Sequence, residues 1–511
     1  MSTTRGGHVV RASYADTVRS VSRTKRSFGY EYDLAVIGGG TGGLISALIA
    51  AGIGARVALV ERARLGGDCL WTGCVPSKSL LAAADLAHRM RHADRVGLTA
   101  TEPQVDFSGV MDHVRKAQEV IAPQDSAARL ARAGVDVVAG TARFVSPGAI
   151  EVAGRRLRFR KAIIATGSRP AMPVIPRLDD VEPLTSDTLW NLGTLPSSLV
   201  VLGAGAIGCE LAQGFSRLGS RVTLIESAAR LLSSEEPRAS ELIATVLGEE
   251  GIEVRCGVRV SAAHADPAVA GGGTLETEDA GSSSSIAFAR LLIVAGRIPS
   301  TADLGLERAG VGTDERGHVL VDARLRSTAA HIYAVGDVTG GMAFTHVAAY
   351  HARVATINAL FAVRRHVDYT AVPRVCFTDP EVARVGLTLA QARVRWREPV
   401  IASFDYADLD RAITDGRREG FVTLVGDPKG RLVGATIAAA GAGESIAELA
   451  AWIASGAKLD RVSQTVHAYP TLSEGPSRAA DERLRARYAA PRTQRLARGA
   501  LRVLSLVDRP R

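Results

Sequence analysis

Two cysteines separated by four residues are the side chains of this 511-residue sequence best suited to redox chemistry. They lie in Gly66-Gly67-Asp68-Cys69-Leu70-Trp71-Thr72-Gly73-Cys74-Val75-Pro76-Ser77-Lys78, with a helix-forming run directly after. Such a pair can close a small disulfide ring, and the positive end of a helix dipole favours a thiolate beside it. Alone the motif is also compatible with two incidental cysteines, so the elements that hold it must decide.

The first such element is a buried-strand pattern, Tyr32-Asp-Leu-Ala-Val-Ile37, running into Gly38-Gly39-Gly40-Thr41-Gly42-Gly43 and then an apolar helical run. This is G-x-G-x-x-G between a strand and a helix. Gly38 makes the tight turn, Gly40 admits a pyrophosphate close to backbone, and Gly43 lets helix and strand approach. A second strand ends at Glu61, placed to accept hydrogen bonds from a ribose. The device recurs at Gly203, Gly205 and Gly208, with Glu226 closing the next strand. The copies are in register, since 203 less 38 and 226 less 61 are both 165. Two dinucleotide sites are therefore expected. Strands ending at Ala165-Thr166-Gly167 and at Gly296 close the two units, and Gly336-Asp337 ends a further strand with an acid suited to a ribityl hydroxyl. The Gly- and Ser-rich stretch 271–285 reads as a flexible hairpin loop.

Five cysteines in so long a chain argue against a secreted disulfide scaffold, so a reducing cytoplasm is expected. The net charge of +9 is uneven. Residues 1–30 carry +5 and residues 478–511 carry +7, so the ends exceed the total and leave −3 for the body. Basicity confined to the ends does not indicate nucleic-acid binding. The ends read as solvated tails, or, at Leu496, Ala500, Val503 and Val507 among Arg495, Arg498 and Arg502, as a basic interfacial helix touching a membrane surface. The Arg- and Ser-rich N-terminal segment also has a weak transit-peptide character.

On these motifs the sequence resembles the flavin-dependent pyridine nucleotide–disulfide oxidoreductases, the group of dihydrolipoamide dehydrogenase, glutathione reductase and mercuric reductase. Thr378–Gly386 and Tyr469-Pro470-Thr-Leu-Ser-Glu474 are similar to the family's dimerisation domain. The resemblance implies an α/β fold of two Rossmann-like domains, for FAD and NAD(P)H, plus a C-terminal α+β dimerisation domain. The divisions expected are a basic extension over 1–30, an FAD domain over 31–178 and 301–367, an NAD(P)H domain over 179–300, an interface domain over 368–477 and a basic tail over 478–511. It implies a homodimer in which electrons pass from the nucleotide through FAD to a Cys69–Cys74 disulfide and on to a small disulfide or other acceptor, with no resident metal. By the same resemblance Cys74 forms the flavin-facing charge-transfer thiolate, Cys69 is the interchange thiol, and Lys78 pairs with Glu210 near the flavin. Glu226 repels a 2′-phosphate, so NADH is favoured over NADPH, with Arg230 four residues on as a feature that blunts the preference.

The sequence departs from the family at the acid–base site. Family disulfide reductases carry a His before the motif's Pro, backed by a Glu that Glu474 matches. Here Tyr469 stands in that position, and a phenol is a poor base at neutral pH. His467 is the substitute candidate. Mercuric reductases share the Tyr but present a C-terminal cysteine pair, and no cysteine follows Cys376. His346 lies where relatives line the flavin and is equally readable as a packed core residue. Dihydrolipoamide-dehydrogenase-like disulfide exchange is the leading expectation. Mercuric-reductase-like or quinone reduction, or a membrane-associated electron carrier, are the alternatives.

Overall fold

A computed structural model describes residues 29–279, 281–361 and 363–507. The basic N-terminal extension, with its transit-peptide reading, lies almost wholly outside these residues.

The apolar run Tyr32–Ile37 is buried on both faces and takes the centre of a parallel sheet, as such runs do. It pairs in parallel with Val57–Glu61 on one side and with the second half of Arg155–Ile164 on the other. Val135–Ala139 extends the sheet beyond Val57–Glu61, and Ile332–Ala334 adds next to Arg155–Ile164. The first half of that long strand instead pairs antiparallel with Ala149–Val152. Helices Thr41–Gly52 and Thr345–Phe361 cover one face. Ile332–Ala334 thus returns from 170 residues away to put Gly336 and Asp337 beside the first glycine turn.

The second unit repeats the plan. Five strands stand in the order Glu253–Cys256, Arg221–Glu226, Ser198–Leu202, Arg290–Ile293, Leu184–Thr185, all parallel. Helix Ala206–Leu218 packs on one face, and a three-stranded antiparallel sheet covers the other through Ala263, Leu275, Ile286 and Phe288. Here the expectation of a loop over 271–285 is corrected. Gly273–Asp279 and Ser282–Phe288 are paired strands, with Gly281 in a turn between them. The serines misread the segment because they lie on the exposed half of a strand whose inward residues, Ile286 and Phe288, follow them.

The third unit is a five-stranded antiparallel sheet ordered Pro373–Cys376, Glu381–Gly386, Leu432–Ala439, Gly420–Gly426, Val400–Asp405. Helix Glu474–Ala489 buries Ala479 and Ala480 in its core, so the packed domain runs past residue 478. A last helix, Pro491–Val507, follows with no buried residue described on it. Among the described residues no helix is long and apolar enough to cross a membrane.

Candidate active site

Both glycine turns are compelled by close backbone approach. Gly38 has φ +105, and a Cβ on Gly43 would sit 1.8 Å from the Gly38 carbonyl oxygen. Gly208 meets the Gly203 carbonyl at the same 1.8 Å. The acids at the strand ends take matching bonds. Glu61 accepts from the Gly39 and Ala63 amides at 2.6 and 2.7 Å, and Glu226 from those of Ala204 and Ala228 at 2.7 and 2.9 Å. The offset of 165 therefore holds in the hydrogen bonds as well as in the sequence.

The first turn opens into a cavity of about 470 Å³ that also reaches Glu61, Thr166, Asp337, Cys69 and Cys74. A flavin dinucleotide fits this lining on two observations. Bare backbone at Gly38 and Gly40 leaves room for a pyrophosphate at a helix N-terminus, and the buried Thr166 hydroxyl has no partner within the protein. The acid of this cavity is held from both sides. Ser168 donates to Asp337 at 2.6 Å and accepts from Arg297 Nε at 2.7 Å, and Arg297 also bonds Asp68, the residue before Cys69. Gly336 N–H donates to His351 Nδ1 at 3.2 Å, so the proton of this ring is on Nε2, 2.7 Å from the Tyr369 hydroxyl. Burial pushes His351 down to about 4, which keeps it neutral.

Cys74 opens helix Cys74–Arg91, and Cys69 sits in the short helix Gly67–Trp71 before it. Both are free cysteines. The Cys69 hydrogen bond, the Thr345 hydroxyl at 3.5 Å and the Lys78 charge bring Cys74 down to about 6 against the opposing effect of burial. Donating to Cys74, together with burial, pushes Cys69 up. Both shifts run in the direction that favours a thiolate at Cys74, beside the Lys78 charge, over one at Cys69. Lys78 Nζ lies 2.6 Å from Glu210, which is 5% exposed, and 4.5 Å over the Phe377 ring. The Phe377 amide donates to the other Glu210 oxygen at 2.9 Å.

Several contributors carry no motif in the sequence. Gln118 donates to the Leu70 and Trp71 carbonyls at 3.1 and 2.9 Å, and Trp190 to the Thr72 carbonyl at 2.9 Å. Trp71 donates to Leu65 O at 2.7 Å and lies under the Arg64 guanidinium. Thr345, at the head of a helix more than 270 residues on, was equally unmarked.

The remaining candidates lie apart. His346 is not in the cavity lining; its Nε2 meets the Pro373 carbonyl at 2.9 Å. His467 has both ring nitrogens on oxygen acceptors, Thr465 O at 3.0 Å and Glu448 Oε2 at 2.9 Å, and so faces Glu448 rather than Glu474. Glu474 accepts from the Thr471 amide at 3.2 Å. Tyr469, 68% exposed, donates to Asp410 at 3.0 Å, which pushes its phenol further up. At the second turn Gly205 and Glu226 line a smaller cavity of about 170 Å³. Gly296 holds the adjoining loop, its carbonyl accepting from Ala171 at 3.0 Å. The Arg230 guanidinium is committed to the Leu232, Ser233 and Glu235 carbonyls and to Ser240.

Comparison with known proteins agrees with this arrangement. Residues 32–352 match the family model described as pyridine nucleotide-disulphide oxidoreductase, and residues 372–480 match its dimerisation domain. A mercuric reductase of Streptomyces lividans is 40% identical over 457 residues, which cover 88% of this chain and 95% of that protein. A dihydrolipoyl dehydrogenase of Bacillus subtilis is 35% identical over 462 residues, 89% of this chain and 97% of that one. The solved structure of the HOCl-induced flavoprotein disulfide reductase RclA from Escherichia coli superimposes with a TM-score of 0.79 at 29% identity, covering 88% of this chain and 99% of that one.

Proposed function

The chain belongs to the pyridine nucleotide-disulphide oxidoreductases, homodimeric flavoenzymes that use FAD and a pyridine nucleotide, and from that premise we propose that it is an NADH-dependent reductase of a small disulfide, working through Cys69 and Cys74. FAD, when bound, relays the hydride's electron pair from the nucleotide to the cysteine pair. The observation that carries the reading is the pair Cys69 and Cys74 lining the cavity of the first glycine turn, with Cys74 against the Thr345 hydroxyl and the Lys78–Glu210 ion pair one helical turn on.

Glu61, Thr166 and Asp337 would hold the flavin dinucleotide, and Glu226 the nicotinamide one. NADH rather than NADPH is favoured because Glu226 stands at the end of its strand beside the second turn and both Nη groups of Arg230 are spent on backbone carbonyls and Ser240. Exchange then balances within the pair. The Cys69 proton passes to Cys74, the Cys69 thiolate attacks one sulfur of the substrate to form a mixed disulfide, and the departing substrate thiolate takes that proton from Cys74. Cys74 thiolate displaces the second thiolate, closing Cys69–Cys74. Two electrons leave the protein and no external base is required. Neither Tyr469, whose phenol keeps its proton, nor His467, with both nitrogens engaged, adds a base to the pair in either direction.

A second reading, reduction of a soft metal ion such as Hg²⁺ at Cys69, is favoured by Tyr469 and by the 40% identity to a mercuric reductase. Anaerobic turnover of NADH against lipoamide, Hg²⁺ and a quinone separates them. Lipoamide reduction is expected. Turnover with Hg²⁺ or quinone and none with a disulfide would replace the first reading.

A further inference from the structure

The terminal helix Pro491–Val507 behaves unlike the other long helices of the described chain. Those bury at least one side chain each, whereas Leu496, Leu501, Val503 and Leu504 here are 77%, 64%, 61% and 54% exposed. At about 100° per residue Leu496, Ala500, Val503 and Leu504 share one side, and Arg495, Arg498 and Arg502 the opposite one. With Arg492 the helix carries four arginines and no acid. Its side-chain hydrogen bonds, Arg498 to Gln494 and Ser505 to the Arg502 carbonyl, stay within the helix. Apolar exposure on this scale needs a partner.

We propose that this helix docks the dimer on the surface of an anionic phospholipid bilayer, lying in the interface with its leucines inward and its arginines on the headgroups. Charge selects the occupant. A second copy of the helix would face four arginines with four more and no acid to answer them, and an uncharged surface would leave them without counterions. With the body of the chain carrying about −3, this end is where an anionic surface gains most. Docking uses none of the cavity residues and goes beyond the redox reading.

The test is co-sedimentation of the full-length FAD-loaded dimer with vesicles of mixed phosphatidylglycerol and phosphatidylcholine, or of phosphatidylcholine alone. Binding to the anionic vesicles only, lost at high salt, is expected. Arg495→Gln with Arg502→Gln should weaken it about 25-fold, from roughly fivefold per arginine. Leu496→Asp with Leu504→Asp should abolish it while leaving NADH oxidation and dimer mass unchanged. The proposal is overturned by equal binding to both vesicle types, by variants that bind as well as the parent, or by no binding at low salt. A change of dimer mass in the leucine variant would assign the face to a partner copy instead.

Discussion

At the scale of residues, the division of labour between the cysteines is set by what each sulfur touches. Cys74→Ser is expected to remove the long-wavelength absorbance of the two-electron-reduced flavoprotein, and Cys69→Ser to keep it; the reverse pattern would exchange the roles. Because the folded pKa of Cys74 is lowered to about 6, the thiolate exists above that value, and the absorbance should fade as pH drops through about 6. Lys78→Met removes a charge that lowers Cys74, so the midpoint should rise, and reduction by NADH should slow about tenfold for each 1.4 kcal/mol of lost stabilisation. Stopped-flow absorbance measures both. His351 is shifted in the same direction as Cys74, but there the lowered value keeps the ring neutral. Its folded pKa, about 4, lies below the unfolded value near 6.5, so stability is full above about 6.5 and declines as pH falls towards 4, by about 3 kcal/mol at most. His351→Gln, which keeps an acceptor for the Gly336 amide, should flatten that decline in thermal unfolding.

At the scale of elements, the strand–turn–helix units were legible because their glycines answer to a backbone clash that no other residue relieves. Gly208→Ala should cost about 3 kcal/mol or more and abolish nucleotide reduction of the flavin while the flavin stays bound, since its Cβ would meet a carbonyl of its own unit. Bound-flavin absorbance with NADH titration measures this, and loss of flavin from the purified variant would contradict it. Lys78 and Glu210 were legible as a pair only through family resemblance, because 132 residues separate them. Gln118, Trp190 and Thr345 were not legible at all. Gln118 and Trp190 act through bonds to backbone carbonyls and Thr345 through one to a sulfur, and a single Gln, Trp or Thr has no spacing to read. The 271–285 strands were misread because serine composition suggests a loop, while the alternation that fixes a strand lay only in its last residues, Ile286 to Phe288.

At the scale of the whole molecule, helix Ala206–Leu218 joins three tasks. Its N-terminus faces the second glycine turn, its Glu210 holds Lys78 and the Phe377 amide, and its Gln213 both donates to and accepts from the backbone of Asp379, at 2.8 and 2.7 Å. Buried Arg217, near its end, bridges Glu250 to Asp379. One rigid rod thus touches the nucleotide turn, the dithiol's cation and the dimer-forming domain. A fragment ending before residue 372 would therefore be more than a monomerised enzyme. It would uncover Glu210 and withdraw the amide and the ring that fix Lys78, so losing the subunit contact and detuning the thiolate are one event. Amide exchange at Phe377 and Asp379 is expected to slow when NADH binds at the far end of the rod.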